Sequence, residues 1–243
     1  TAFMDKALRD KLALSSANSI NIARLLPQMV YYAAGFAQLP ETRQPVTVIV
    51  PSGNLGNLTA GLMAARMGIP FAHFVAALNK NDVFLHYLES GEFQPRPAVP
   101  TLSNAMDVGN PSNLERIVDL YHHNHADIRR AISAYRFDDA ATRQAIQHVA
   151  RTFDYILDPH TAVGYLATEA HRQATESTGQ WLLLSTAHPA KFNTTIAEVL
   201  GRPAPTPERL ARVLQHEPNA TPLSAEYADF KDFLWHLPSF RSA

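Results

Sequence analysis

Six consecutive residues, Ser52-Gly53-Asn54-Leu55-Gly56-Asn57, carry the strongest chemical signal in this sequence. They follow a β-branched apolar run, Val46 to Val50, and precede a helical pattern that starts near Leu58. A helix N-terminus presents unpaired N–H groups and a partial positive charge, and therefore favours an anion. Two glycines let the backbone approach a phosphate without a Cβ in the way, and Ser52, Asn54 and Asn57 offer further donors. A plain strand-to-helix turn, with glycines placed for geometry alone, is the alternative reading of the same residues. No Walker lysine follows the turn, and the glycine spacing does not fit the dinucleotide fingerprint.

The elements that position this turn alternate between strand and helix. Val46 to Val50 reads as a strand buried on both faces. Leu58 to Met67 reads as a helix stopped by Gly68 and Pro70, and Phe71 to Leu78 as the next strand. That order implies parallel strands and a right-handed crossover. Upstream, Ser19 to Gln38 reads as a long helix with Ile20, Ile22, Leu25, Leu26, Met29 and Val30 inward, kinked at Pro27. Downstream, Phe84 to Leu88 reads as helical and Gln94 to Pro100 as a Pro-rich loop. Ser112 or Asn113 caps a helix running to Tyr121, and Asp138-Asp139 marks another helix start. Trp181 to Leu184 reads as a short buried strand. Asn193 to Leu200 reads as a helix ended by Gly201, and Phe230 to Phe240 as a helical, aromatic tail. Arg202 to Pro207 holds three prolines and is the best linker candidate. The division this suggests is 1–201 as the main body and 202–243 as linker and tail.

Bulk properties narrow the function classes. The chain has 243 residues and a formal net charge of -1, which argues against nucleic acid or an anionic membrane as partner. It has no cysteine, so disulfides and thiolate metal sites are excluded. No apolar run has membrane-spanning length, and a cytoplasmic location is the expectation. His122, His123 and His125 form a cluster that reads as a solvated helix face, since only His122 and His125 have ligand spacing and no carboxylate joins them.

Further segments turn the signal into a family resemblance. Pro51 to Asn57 resembles the phosphate loop of threonine synthases, with Leu55 where Phe is usual and Asn57 where Asp is also found. Ser16-Ala17-Asn18-Ser19-Ile20-Asn21, followed by Ala23-Arg24, is similar to a helix start of that family. Asn79-Lys80-Asn81-Asp82, Ser103 to Val108 with Pro111-Ser112-Asn113, Asp158 to Gly164, and Thr186 to Phe192 resemble further motifs, all in order.

The resemblance implies a fold-type-II enzyme that uses pyridoxal phosphate (PLP) to convert O-phospho-L-homoserine and water to L-threonine and phosphate. It implies an α/β fold: a partial parallel sheet flanked by helices, being part of the large, PLP-holding domain. It implies cofactor binding at Ser52, Gly53, Asn54, Leu55, Gly56 and Asn57, with the Thr186 hydroxyl facing the pyridine nitrogen. It implies substrate binding at Asn18, Asn79, Asn104 and Lys191, with His188 near the site. His160 reads as a capping or packing residue.

The five lysines, Lys6, Lys11, Lys80, Lys191 and Lys231, lack the setting of the family's Schiff-base lysine. No catalytic residue is therefore assigned, the isolated chain is expected to be inactive, and an N-terminal half is the expected partner. An incomplete sheet would also expose an edge, favouring self-association or that partner. Two other functions fit the turn. One is a related phospholyase that releases a 2-oxo acid; the other is a non-catalytic module that binds a phosphate ligand.

Overall fold

The computed structural model describes residues 2–40, 44–176, 178–217 and 220–237. In chain order its elements are α1 (Lys6–Lys11), α2 (Met29–Ala37), β1 (Val46–Pro51), α3 (Gly56–Arg66), β2 (Phe71–Leu78) and α4 (Val83–Ser90). There follow α5 (Leu114–Leu120), α6 (His125–Ala131), β3 (Ile132–Arg136), α7 (Asp139–Phe153), α8 (Pro159–Thr175) and β4 (Gln180–Leu183). The last are α9 (Asn193–Leu200), α10 (Glu208–Val213) and α11 (Tyr227–His236). The four strands form one parallel sheet in the order β3-β2-β1-β4.

Burial of alternate residues on opposite sheet faces explains why β1 is apolar except for Thr47. Val46, Val48 and Val50 join Phe74, Ala76 and Leu78 in a core packed against Tyr32 of α2 and Leu58 and Leu62 of α3. Ile49 faces the other way, with Val75 and Ala77, toward Val163 and Ala167 of α8. Both sheet faces are thus covered, as parallel sheets require. Helix α8 lies close to the strands because Gly164 has no side chain: a Cβ there would sit 2.5 Å from Leu183 Cδ1. Behind α8, Ile146 and Val149 of α7 pack with Ile196 and Val199 of α9.

Several expectations hold: the strands at 46–50 and 71–78, the helix at 193–200 with left-handed Gly201 at its end, and the helix start at Asp138. The strand expected buried at 181–184 forms as β4 over Gln180–Leu183 and is half-buried, since it lies at the edge of the sheet. The long helix over 19–38 does not form. Two 3-10 turns, Ile22–Arg24 and Leu26–Gln28, precede α2, and Pro27 lies in the second. Asn21 caps the first of these turns: its side chain accepts from Ala23 N at 3.0 Å, a local bond that competes with helical pairing. Of the residues expected inward, Leu25 is buried and Met29 half-buried, whereas Ile20, Ile22, Leu26 and Val30 are exposed.

The histidine cluster is not a helix face either. His122 and His123 have φ of 51° and 59° in the turn between α5 and α6, and His125 Nε2 lies 2.9 Å from Tyr87 O. The Pro-rich stretch 202–207 is tied down, since Ala204 is buried and its N–H donates to Asn193 Oδ1 at 2.9 Å. The tail helix α11 packs on α1: Lys231 pairs with Asp5 at 2.7 Å and Tyr227 donates to the same carboxylate at 3.0 Å. Positions 238–240 of the expected tail helix lie outside the described residues. Among the described residues no helix is long and apolar enough to cross a membrane.

On the α8 face, His73 of β2 and His171 of α8 stack with centroids 5.1 Å apart. His73 Nε2 lies 2.9 Å from Ser133 Oγ, and His171 Nδ1 lies 3.1 Å from the Tyr135 hydroxyl. Burial, aided by the neighbouring His171 and opposed by a bond to the Arg130 backbone, lowers His73 from 6.5 to about 4. Burial lowers His171 as well. Between those two values the unfolded chain binds the extra proton, so stability is full above about pH 6.5 and declines as pH falls toward 4. The melting temperature is expected to drop across that interval, and to drop less in His73→Gln. Identical pH dependence in parent and variant would contradict this.

Candidate functional site

The turn after β1 is built by side chains that bond to one another. Ser52 N–H donates to Ala77 O at 3.1 Å, carrying the β1–β2 ladder one residue past the strand. Ser52 Oγ donates to Asn57 Oδ1 at 2.7 Å, and Asn57 Nδ2 returns to Pro51 O at 2.7 Å. Asn57 Oδ1 also accepts from Leu58 N at 3.0 Å. Leu55 adopts a left-handed backbone, φ 60°, and buries its side chain fully in the core. The first helical bond of α3 is Thr59 N to Leu55 O, 2.8 Å. None of the N–H groups of residues 53–57 donates to a backbone carbonyl among the described residues. The arrangement therefore offers an anion its backbone donors, while Ser52 and Asn57 are occupied in shaping the turn.

Asn54 holds the turn from outside. Its Nδ2 donates to Ser19 Oγ at 2.6 Å, and its Oδ1 accepts from Ser112 N at 2.7 Å. Asn113 Nδ2 donates to Asn54 O at 2.9 Å, and Arg116 grips Asn113 Oδ1 at 2.6 Å and Ser19 O at 3.1 Å. Tyr32 is buried under the turn and donates to Asn57 O. Burial pushes the Tyr32 hydroxyl far above its ordinary value, so it remains a donor. Gly53 is where the turn meets a neighbour. A Cβ there would lie 2.5 Å from Met106 Cα and 2.8 Å from Met106 O. The missing side chain admits the 104–106 turn, which closes one wall of the site.

The turn opens on a cleft of about 730 Å³ that also takes residues from the loop after β4. Thr186 and Lys191 line it, both exposed. His188 caps the 3-10 turn Pro189–Phe192, accepting from Ala190 N at 3.1 Å. The three asparagines assigned to substrate do not line the cleft. Asn18 is exposed in a turn, its Oδ1 accepting from Ile20 N at 3.2 Å, and the adjacent Ser19 lines the cleft instead. Asn104 is exposed in the turn whose Ala105 and Met106 line it. Asn79 is buried, donating to Thr101 Oγ1 and Asp107 Oδ1, each at 2.8 Å.

Arg24, Gln28, Tyr31, Tyr32, His160 and Phe192 also line the cleft, and sequence reasoning assigned none of them to the site. Arg24, His160 and Phe192 carried a signal, each lying in a family-like motif. Among the described residues no group of three potential metal ligands occurs.

Residues 9–187, most of the chain, match the family model described as pyridoxal-phosphate dependent enzyme. The chain belongs to the pyridoxal-phosphate-dependent enzymes. Residues 161–234 also match a model described as threonine synthase, C-terminal. Threonine synthase of Serratia marcescens is 41% identical over 239 residues, 98% of this chain and 54% of the relative. Threonine synthase of Escherichia coli is 42% identical over 211 residues, 86% of this chain and 48% of the relative. The chain thus spans about half the length of the curated relatives it matches.

The crystal structure of the E. coli threonine synthase superposes with a TM-score of 0.84 at 39% identity, covering 96% of this chain and 54% of that one. The PLP-bound threonine synthase of Brucella melitensis gives 0.84 at 31% identity, covering 96% and 55%. The sheet and helices are those of a fold-type-II PLP enzyme, and PLP is the family's cofactor.

The donor set fits that cofactor's phosphate: a strand-to-helix turn whose 53–57 N–H groups have no backbone acceptor among the described residues, at a cleft lined by Gly53, Asn54, Gly56 and Asn57. Gly53→Ala would force the Met106 backbone away from the turn. The expected result in the longer protein is PLP affinity lowered about tenfold or more, with secondary structure retained. Fluorescence titration beside circular dichroism checks this, and unchanged affinity would contradict it.

Proposed function

We propose that these 243 residues are the C-terminal portion of a threonine synthase, which converts O-phospho-L-homoserine and water to L-threonine and phosphate. The observation that carries the proposal is that the turns after β1 and β4, both family-like in sequence, open on one cleft. In this reading the N–H groups of Gly53 to Asn57 hold the cofactor phosphate, with Ser52, Asn54 and Leu55 fixing the turn. The Thr186 hydroxyl faces the ring nitrogen and, being neutral, leaves that nitrogen free of enforced protonation. When bound, PLP supplies the electron sink that lets protons leave the substrate's Cα and Cβ.

The substrate carries two anionic groups, and the cleft meets them with Lys191 and Arg24. Asn18 and Asn104 act from the turns beside cleft-lining Ser19 and Ala105. Asn79 acts through the 101–107 loop that it anchors. We take 1–201 as the large-domain part and 202–243 as linker and helical tail. The Schiff-base lysine we place outside these residues, on the portion of the relatives that the chain does not span. That portion is the partner expected to cover exposed Ile20, Ile22, Leu26, Val30 and Tyr31. A cytoplasmic location accords with the absence of a membrane-crossing helix among the described residues.

The test compares the longer protein with the 243-residue chain. The longer protein is expected to release phosphate from O-phosphohomoserine. The chain alone is expected neither to turn over nor to retain PLP on one lysine after borohydride reduction, read by mass spectrometry. A stoichiometric adduct on Lys191 with turnover would overturn the assignment.

A further inference from the structure

His160, the second residue of α8, is buried and faces the cleft, yet the reading above gives it no role. Its Nδ1 lies 3.0 Å from Asp158 Oδ1. Its Nε2 accepts the backbone N–H of Ala105 at 3.2 Å. A nitrogen that accepts from an amide carries no proton, and the nitrogen beside a carboxylate carries one. The neutral ring protonated on Nδ1 satisfies both contacts.

Asp158 cannot turn away. Its Oδ1 also accepts from His160 N at 2.9 Å and Thr161 N at 3.4 Å, and its Oδ2 takes the Thr161 hydroxyl. Phe192 packs against the ring, with centroids 5.0 Å apart. The imidazole is therefore held in one tautomer and one orientation.

What it holds is the wall that meets Gly53. Ala105 sits in the 3-10 turn Asn104–Met106, and the Met106 backbone fills the space where a Gly53 side chain would be. The far end of that loop is anchored separately: Asp107 Oδ1 accepts from Thr101 Oγ1 at 2.7 Å and Asn79 Nδ2 at 2.8 Å. Only the His160 contact ties the Ala105 side of the turn to α8 among the described residues' hydrogen bonds.

We propose that His160 is a positioning residue that sets the PLP-phosphate turn by holding the Ala105 N–H and, through Met106, the Gly53 backbone. The proposal rests on residues 53–57 being the phosphate cradle.

Two variants of the longer protein separate the contacts. His160→Asn keeps an amide beside Asp158 but stops short of Ala105. His160→Gln brings a carbonyl oxygen to Ala105. The cofactor-free proteins are titrated with PLP by fluorescence, each well below its own melting temperature. His160→Gln is expected to stay within about threefold of the parent affinity, and His160→Asn to lose about tenfold. Parent-like binding by His160→Asn, or equal loss in both, would overturn the proposal.

A second measurement needs no variant. In the parent protein, PLP is expected to slow amide hydrogen exchange over 103–107 together with 53–57. Slowing over 53–57 alone would overturn the His160 link. Slowing over neither would remove the cradle reading, and the proposal with it.

Discussion

The parallel pairing of β1 with β4 is the constraint on which the site depends. Ile49 lies level with Leu183, and Leu184 N donates to Ile49 O at 3.0 Å. Strand β4 therefore ends two residues before β1, which runs on to Pro51, and because the strands are parallel the chain leaves both at the same end of the sheet. The turn that follows β1 carries backbone donors, and the loop that follows β4 carries Thr186 and Lys191. Neither is a site alone. Open α/β sheets place ligands beyond the carboxyl ends of their strands for this reason. Had β4 paired elsewhere, the two loops would not share a cleft.

Around that cleft, hydrogen bonds decide which groups remain available. Ser52 and Asn57 bond to each other, Asn54 bonds to Ser19 and Ser112, and Tyr32 supports the carbonyl of Asn57. Each of these polar groups sits in a partly or fully buried place where an unmade bond would cost about 1–3 kcal/mol. Satisfying them internally leaves the backbone N–H groups of 53–57 as the donors without a backbone acceptor among the described residues. Rigidity follows from the same bonds, and a rigid donor array binds an anion with little reorganisation.

Sheet strands were legible where an apolar run is short and bounded by turn residues, as at Val46 to Val50 and Trp181 to Leu184. β3 was not, because Ile-Ser-Ala-Tyr-Arg is half polar and follows α6 with no Gly or Pro between them. The segment 19–38 misled because its apolar residues have helical spacing, whereas Asn21 and Pro27 impose 3-10 turns. Its Ile20, Ile22, Leu26 and Val30 are exposed, so their spacing does not report this chain's own core. In the site, the Gly-rich turn was legible from local sequence. Tyr31 and Tyr32 reach the cleft only through tertiary packing, and no spacing in the sequence reveals that. Asn79 shows the converse: it belongs to a family-like motif, yet it works inside a buried network rather than at the cleft surface.

The central claim is that the N–H groups after β1 hold the cofactor. A crystal structure of the longer protein with PLP tests it most directly. The account predicts the cofactor phosphate within hydrogen-bond distance of the N–H groups of Gly53 to Asn57, with Thr186 at the ring nitrogen. A phosphate seated elsewhere in the cleft, on Arg24 and Lys191 for example, with the 53–57 amides facing only water, would contradict it.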